Sequence, residues 1–249
     1  MISPQAQTSG ATLSPDTRVG DIVAARPLAA QFFQRLGIDY CCGGKRTLAA
    51  ACAARGLDAG TVVVMLETTL QSYDARPTVD AAGMSLTALA DHVEQTHHAY
   101  LKQDLPILVE QAARVAIKHG DREPELRAVA EIVREFAEEM FDHMAKEERI
   151  LFPIIRALDQ KGGAAPAPSL ANPIRQMEAE HVNAGDALVR LRELTHAFSP
   201  PADACNTHRA LFAGLAQLET DLHQHVHKEN NILFPRALAR EANRAVASA

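Results

Sequence analysis

Long apolar runs are missing from this 249-residue chain: no stretch approaches the roughly 20 residues that a bilayer-spanning helix requires. Basic runs are missing as well. With 25 Lys and Arg against 31 Asp and Glu, the formal net charge is −6, and nothing tracks a phosphate backbone. Neither nucleic acid nor a membrane is therefore an expected partner. Tryptophan is absent, aromatic residues make up 4%, and strand signals are few. Cysteine is scarce: Cys41 and Cys42 are adjacent, Cys52 follows, and Cys205 stands alone far downstream. That spacing is no disulfide framework, so reduced thiols are the default. The opening, Met1 to Thr17, has no apolar core and no positive residue before one, so a cytoplasmic protein is expected.

What is present is ordinary globular material, 47% hydrophobic, in a length that can build one full-sized core with a small domain attached. Residues 1–16, rich in Ser, Thr, Gln and Pro, read as a loose leader. Residues 17–73 read as a small helical domain. Its short helices run from Val19 to Ala25, from Pro27 to Leu36, from Arg46 to Arg55 and from Asp58 to Gln71, punctuated by Gly37, Gly43, Gly44 and Gly56. Residues 74–83, with Arg76-Pro77, form the expected linker. Residues 84–242 read as four long helices. Ser85 caps the first, Pro124 and Pro173 occupy the first turns of the second and third, and Pro201 opens the fourth. The joins fall near His119 to Arg122, Gly162 to Ser169 and Ser199 to Pro200; short joins make neighbouring helices antiparallel. The expected class is all-α.

One phrase is written twice: His143-Met-Ala-Lys-Glu147-Glu-Arg-Ile-Leu-Phe-Pro153 and, 82 residues later, His225-Val-His-Lys-Glu229-Asn-Asn-Ile-Leu-Phe-Pro235. On an α-helix, residues four apart differ by about 40° of rotation and about 6 Å of rise, so an imidazole and a carboxylate reach one point. The apolar stripes put both clamps on core faces. In the fourth helix Leu211, Leu215, Leu218 and Leu222 lead to His225, Glu229 and Ile232. In the second, Val129, Ile132, Phe136 and Met140 lead to His143, Glu147 and Ile150, and the third carries His181 between Met177 and Ala184. The first is ambiguous: His97 continues Leu89 and Val93, whereas His98 is in register with Leu101, Leu105 and Leu108, and Pro106 interrupts the helix. His98 fits the longer run. A polar group on a buried stripe is costly unless paired or bound to metal.

The remaining histidines have plainer readings. His223 and His227 lie about 160° around the helix from His225 and are expected in solvent. His92, His119, His196 and His208 lack a clamp partner and read as surface or helix-end residues.

Four imidazoles and two carboxylates suit a pair of iron ions better than structural zinc, which takes four ligands rich in thiolate, or magnesium, which prefers oxygen. Manganese stays open on ligand chemistry alone. The set resembles that of hemerythrin-like proteins. The segment Asp39-Tyr40-Cys41-Cys42-Gly43-Gly44-Lys45, followed by Thr47-Leu48, resembles the signature of the small domain preceding the bundle in bacterial iron-sulfur cluster repair di-iron proteins. The similarity runs from about residue 15 to 240 and includes Leu105-Pro106, Glu178-Ala-Glu180-His181 and both clamps.

The resemblance implies an antiparallel four-helix hemerythrin-like bundle holding two iron ions through His98, His143, Glu147, His181, His225 and Glu229, with Glu147 and Glu229 as bridges. It places Glu139 and Glu180 beside the site, in a supporting or iron-exit role. It implies repair of iron-sulfur clusters damaged by nitric oxide or oxidants, with damaged iron-sulfur proteins as partners and NO or O2 as small ligands. Rival readings at the same centre are a module that binds or senses NO or O2 and an enzyme that reduces NO. Cys41 and Cys42, kept accessible by the flanking glycines, are the expected transfer or redox thiols. Cys52 and Cys205 read as core or incidental.

Overall fold

A computed structural model describes residues 13–72, 79–160 and 169–247. Most of the expected leader, linker positions 74–78 and the join at 162–168 lie outside these residues. Two compact units are formed, Met1–Val79 and Asp80–Ala249.

The first unit contains α1 (Val19–Ala25), α2 (Ala29–Arg35), α3 (Leu48–Ala53) and α4 (Ala59–Ser72). The Thr47 hydroxyl caps α3 by accepting the Ala50 N–H at 3.2 Å. A single antiparallel bridge pairs Arg18 with Thr47, and the Gly20 N–H donates to the Gly44 carbonyl at 2.9 Å. The start of α1 is thus tied to the loop carrying the cysteines. That loop is organised by Asp39, whose carboxylate accepts the backbone N–H groups of Cys41 (3.0 Å) and Gly43 (2.8 Å) and the Cys41 thiol (3.2 Å). A Cβ on Gly43 would sit 3.0 Å from both the Asp39 carbonyl and its carboxylate, so a larger residue here would require the loop to give by a few tenths of an ångström. Phe33, Tyr40, Leu48, Cys52 and Leu66 fill the small core.

The second unit is built from four long helices. Three of them change pitch part-way. Helix α5 runs as α-helix over Leu86–Val93, widens into a π-helical turn over Glu94–His98 and resumes over Ala99–His119. Helix α6 does the same over Glu125–Lys146, Glu147–Leu151 and Phe152–Ala157, and α8 over Asn206–Lys228, Glu229–Leu233 and Phe234–Ala247. Helix α7, Ala171–Leu194, is α-helical throughout. The directions alternate. The start of α5 meets the end of α6 where the Thr87 N–H donates to Asp159 at 2.7 Å and Arg156 to Asp91 at 2.9 Å. The Leu170 N–H, at the start of α7, donates to Glu241 near the end of α8 at 2.9 Å. Ser85 caps α5, accepting from Ala88 at 3.1 Å. No strand occurs among the described residues.

The wide turns correct the periodicity argument. A π-helical turn inserts one extra residue into the hydrogen-bond ladder, so the buried stripe slips by one position across it. In α5 the slip falls between His97 and His98, and both are buried, at 2% and 0% exposure. In α6 Ile150, expected on the core stripe, is 56% exposed, and Leu151 takes its place at 2%. Helix α8 begins at Asn206 rather than at Pro201, after a join in which His196, Ala197 and Phe198 all adopt left-handed backbone. His119, His208 and His227, expected at the surface, at a helix end or in solvent, are buried. His208 packs edge-on against Phe212 with centroids 4.5 Å apart, so a neutral ring serves there as core filling.

Candidate metal centre

Helices α5 to α8 bring six buried side chains to one level of the bundle. Donor atoms of His98, Glu147, His225 and Glu229 lie within 4.8 Å of one another, and so do those of His143, Glu147, His181 and Glu229. Both carboxylates belong to both sets. His98 Nε2 and His143 Nε2 each lie 3.3 Å from Glu147 Oε2. His181 Nε2 lies 3.1 Å from Glu229 Oε2, and His225 Nε2 3.2 Å from Glu229 Oε1. His143 and His181 turn Nε2 atoms toward each other at 3.1 Å.

Those spacings fit shared cations. Donors bound at about 2.0–2.2 Å to one ion stand about 3 Å apart around it. Both oxygens of Glu147, both of Glu229, and the Nε2 atoms of His98 and His225 are buried with no hydrogen-bond partner. Such groups are costly unless a charge of opposite sign satisfies them. Four imidazoles with two carboxylates common to both groups would match a pair of ions of the iron type.

Outside the donors, the twin phrase does more than its clamp. The residue after each shared glutamate accepts the Nδ1 proton of the single histidine on a neighbouring helix: Glu148 from His98 at 2.8 Å and Asn230 from His181 at 2.9 Å. The phenylalanine of each copy stacks on that same ring, Phe152 on His98 at 5.6 Å and Phe234 on His181 at 6.2 Å. Such bonds fix the tautomer that leaves Nε2 free to bind metal and raise its basicity. His143 donates Nδ1 to Glu180 at 2.9 Å, and Lys146 holds the other oxygen at 2.7 Å.

Electrostatics separate the rings. At His143 burial is outweighed by Glu147, Glu229 and Glu180, and its pKa is raised to about 9. At His225 burial dominates and pushes the pKa down to about 4. Glu180 is itself driven to about 2, burial being overcome by Lys146 and His143. Of the two expected supporting acids, Glu180 therefore touches a candidate ligand. Glu139 is exposed, on the rim of a cavity of about 210 Å³ lined also by Asp142, His143, Lys146 and Glu180. A larger cavity of about 450 Å³ lies at the other end of the bundle, near Leu126, Leu194 and Phe212, away from the centre.

The Hemerythrin HHE cation binding domain family matches residues 89–237. The chain belongs to the hemerythrin family. A second family, a domain of unknown function termed DUF542, matches residues 15–70. Relatives share both the length and the order. The iron-sulfur cluster repair protein YtfE of Musicola paradisiaca (strain Ech703) is 39% identical over 226 residues, covering 90% of this chain and 97% of its own. That of Enterobacter sp. (strain 638) is 38% identical, with 91% and 98% covered, and that of Escherichia coli O157:H7 is 37% identical with the same coverage. A hemerythrin domain holds a di-iron centre, and the two histidine-glutamate sets are placed to hold one here.

The thiols are placed differently from expectation. Cys41 is buried, at 6% exposure, and only Cys42 is partly open. Hydrogen bonding with Cys42, burial and the neighbouring Asp39 raise the Cys41 pKa well above the ordinary thiol range. Cys52 is a fully buried core residue of the small unit, and Cys205 sits just before α8 with its sulfur 3.3 Å from His119 Nε2. No helix among the described residues is long and apolar enough to cross a membrane.

Proposed function

We propose that the chain repairs iron-sulfur clusters damaged by nitric oxide or oxidants, acting in the cytoplasm as a source of iron for damaged iron-sulfur proteins. Support comes from one observation above all: six buried donors in two sets share two carboxylates whose four oxygens have no hydrogen-bond partner. In this reading His98, His143, Glu147, His181, His225 and Glu229 are the iron ligands, and Glu147 and Glu229 are the bridges. The relatives that match nearly the whole chain carry the name of iron-sulfur cluster repair proteins. Bound iron supplies both an exchangeable ferrous ion and coordination positions for a small molecule such as NO or O2.

The side chains set the conditions for release. Phe152 and Phe234 shield the single-histidine rings from water, while Glu148, Asn230 and Glu180 hold Nδ1 protons away from the metal-binding nitrogens. Glu139, Asp142 and Glu180 give the cavity beside His143 an acidic rim that attracts a departing cation. The small domain, residues 17–73, joined by the 74–83 linker to the bundle of residues 84–242, offers Cys42 as the more open thiol for receiving iron, with Cys41 behind it. The same cavity has room for a diatomic molecule and supports a second reading, binding or reduction of NO at the same centre.

The deciding experiment mixes anaerobically iron-loaded protein with a cluster-depleted dehydratase and a sulfur source. Recovery faster than with equal free ferrous iron is expected. Recovery equal to that of free iron would overturn the donation reading.

A further inference from the structure

The four candidate imidazoles are not equally supported. Nδ1 of His98, His143 and His181 each meets a carboxylate or amide oxygen at 2.8–2.9 Å. Nδ1 of His225 has no hydrogen-bond partner among the described residues, although the atom is buried. The reason lies in the order of the helices. Glu180, immediately before His181 on α7, serves the clamp histidine of α6. The corresponding residue on α5, immediately before His98, is His97. It presents a ring rather than an acceptor: His97 stacks on His225 with planes 3° apart and centroids 5.5 Å apart. No nitrogen of His97 bonds His225 Nδ1, which is left without a partner behind that ring.

His97 is also held in that pose. Its Nδ1 donates to Asp221 at 2.9 Å, and Lys228 Nζ donates to its Nε2 at 2.6 Å. Both nitrogens are engaged, so neither is left to reach His225. By its place on the stripe of Leu89 and Val93, His97 is a rival to His98. Its geometry assigns it to the layer behind the ligands.

We infer that the two metal positions bind unequally: the ion held by His143 and His181 is tight, and the ion held by His98 and His225 is weaker because His97 denies His225 an Nδ1 acceptor. His97 is thus a positioning residue that sets which iron is given up at equilibrium. The inference rests on the di-iron reading above. The cavity beside His143 bears on the proposed route and not on the relative affinities, so the test is an equilibrium one. An imidazole whose outer nitrogen gains an oxygen partner binds metal about 10–100-fold more tightly.

The experiment titrates anaerobic apo-protein with ferrous iron against a chromophoric ferrous chelator and reads the metal-chelator absorbance. Two separated steps of one iron each are expected for the unaltered protein. His97→Gln, which offers His225 an amide oxygen as Asn230 does for His181, should tighten the weaker step about tenfold or more and leave the tighter one in place. Asn230→Leu, which removes an acceptor from the other ion, should loosen the tighter step and bring the two together. A single step in the unaltered protein would overturn the inference. So would an Asn230→Leu effect confined to the weaker step, which serves as the deciding readout if His97→Gln does not fold. Binding of fewer than two irons would instead remove the di-iron reading itself.

Discussion

Glu148 takes the Nδ1 proton of His98 at 2.8 Å, although the two residues lie on different helices and 50 positions apart. Lys102 donates to both oxygens of that carboxylate, at 2.6 Å to the one that faces His98 and 2.8 Å to the other. Replacing Glu148 with Ala should therefore lower iron affinity about 10–100-fold without altering the ligand set. Competition with a ferrous chelator measures this, and unchanged affinity would show that the hydrogen bond does not tune the centre.

Replacing a bridge should do more. In Glu147→Leu or Glu229→Leu an apolar side chain of similar size fills a fully buried position, so helicity measured by circular dichroism should persist. Iron content should fall below two per chain, and the spectrum of a coupled iron pair should disappear. Retention of two tightly held irons in both variants would remove the bridging assignment.

Changing both Cys41 and Cys42 to Ser should leave iron near two per chain, because no thiol belongs to either donor set, while reducing repair of a damaged dehydratase. Mass spectrometry after brief alkylation should find Cys42 modified before Cys41, since Cys41 is buried and its proton is held by its neighbours. Loss of iron would make the thiols part of the metal site.

Much of this was readable in the sequence, and each miss has a physical cause. Each helix of the small unit lies within or close to its expected span, because glycines and caps mark ends locally. Four of the six residues that lie together, His143, Glu147, His225 and Glu229, were legible because a repeated His-x-x-x-Glu on an apolar stripe survives small changes of pitch; His181 followed from its own stripe, and His98 stood beside His97 as the better fit. A wheel of constant 100° per residue fails beyond the clamp, so Ile150 was expected inside and Leu151 was not. The supporting pair Glu148 and Asn230 went unread. The signal was present, as both occupy the same place in the two phrases, but their partners are on other helices, where periodicity gives no information. His208 and His227 were misplaced because imidazole is intermediate between core and surface, and spacing alone does not say which a given ring takes.

Asp159 links the end of α6 to the start of α5, accepting the Thr87 N–H at 2.7 Å. Burial alone would raise its pKa, but the Thr87 backbone and hydroxyl, with Ser85, lower it below the usual carboxylate value. A depressed folded pKa means the contribution is present above the unfolded pKa near 4 and is lost as pH falls through the folded value. Asp159→Ala should cost about 1 kcal/mol at neutral pH, the usual worth of a lost helix cap, and less in acid. Urea melts at pH 7 and pH 3 test this; an equal loss at both would sink the assignment.

The wide turns at Glu94–His98, Glu147–Leu151 and Glu229–Leu233 also bear on protein engineering. Copying the donor residues, at their sequence spacing, onto a bundle of straight α-helices would not reproduce the centre. Each graft would carry one residue more than the straight template accommodates, and everything beyond the clamp would rotate by about 100°. The phenylalanines and outer acceptors would then point to solvent. Deleting a single residue from one of these turns in the native chain should instead remove the bulge, giving a more regular helix whose buried stripe stays in register beyond it. The unit that can be transplanted is the bulged helix, from the clamp histidine through the phenylalanine, and not the list of ligands.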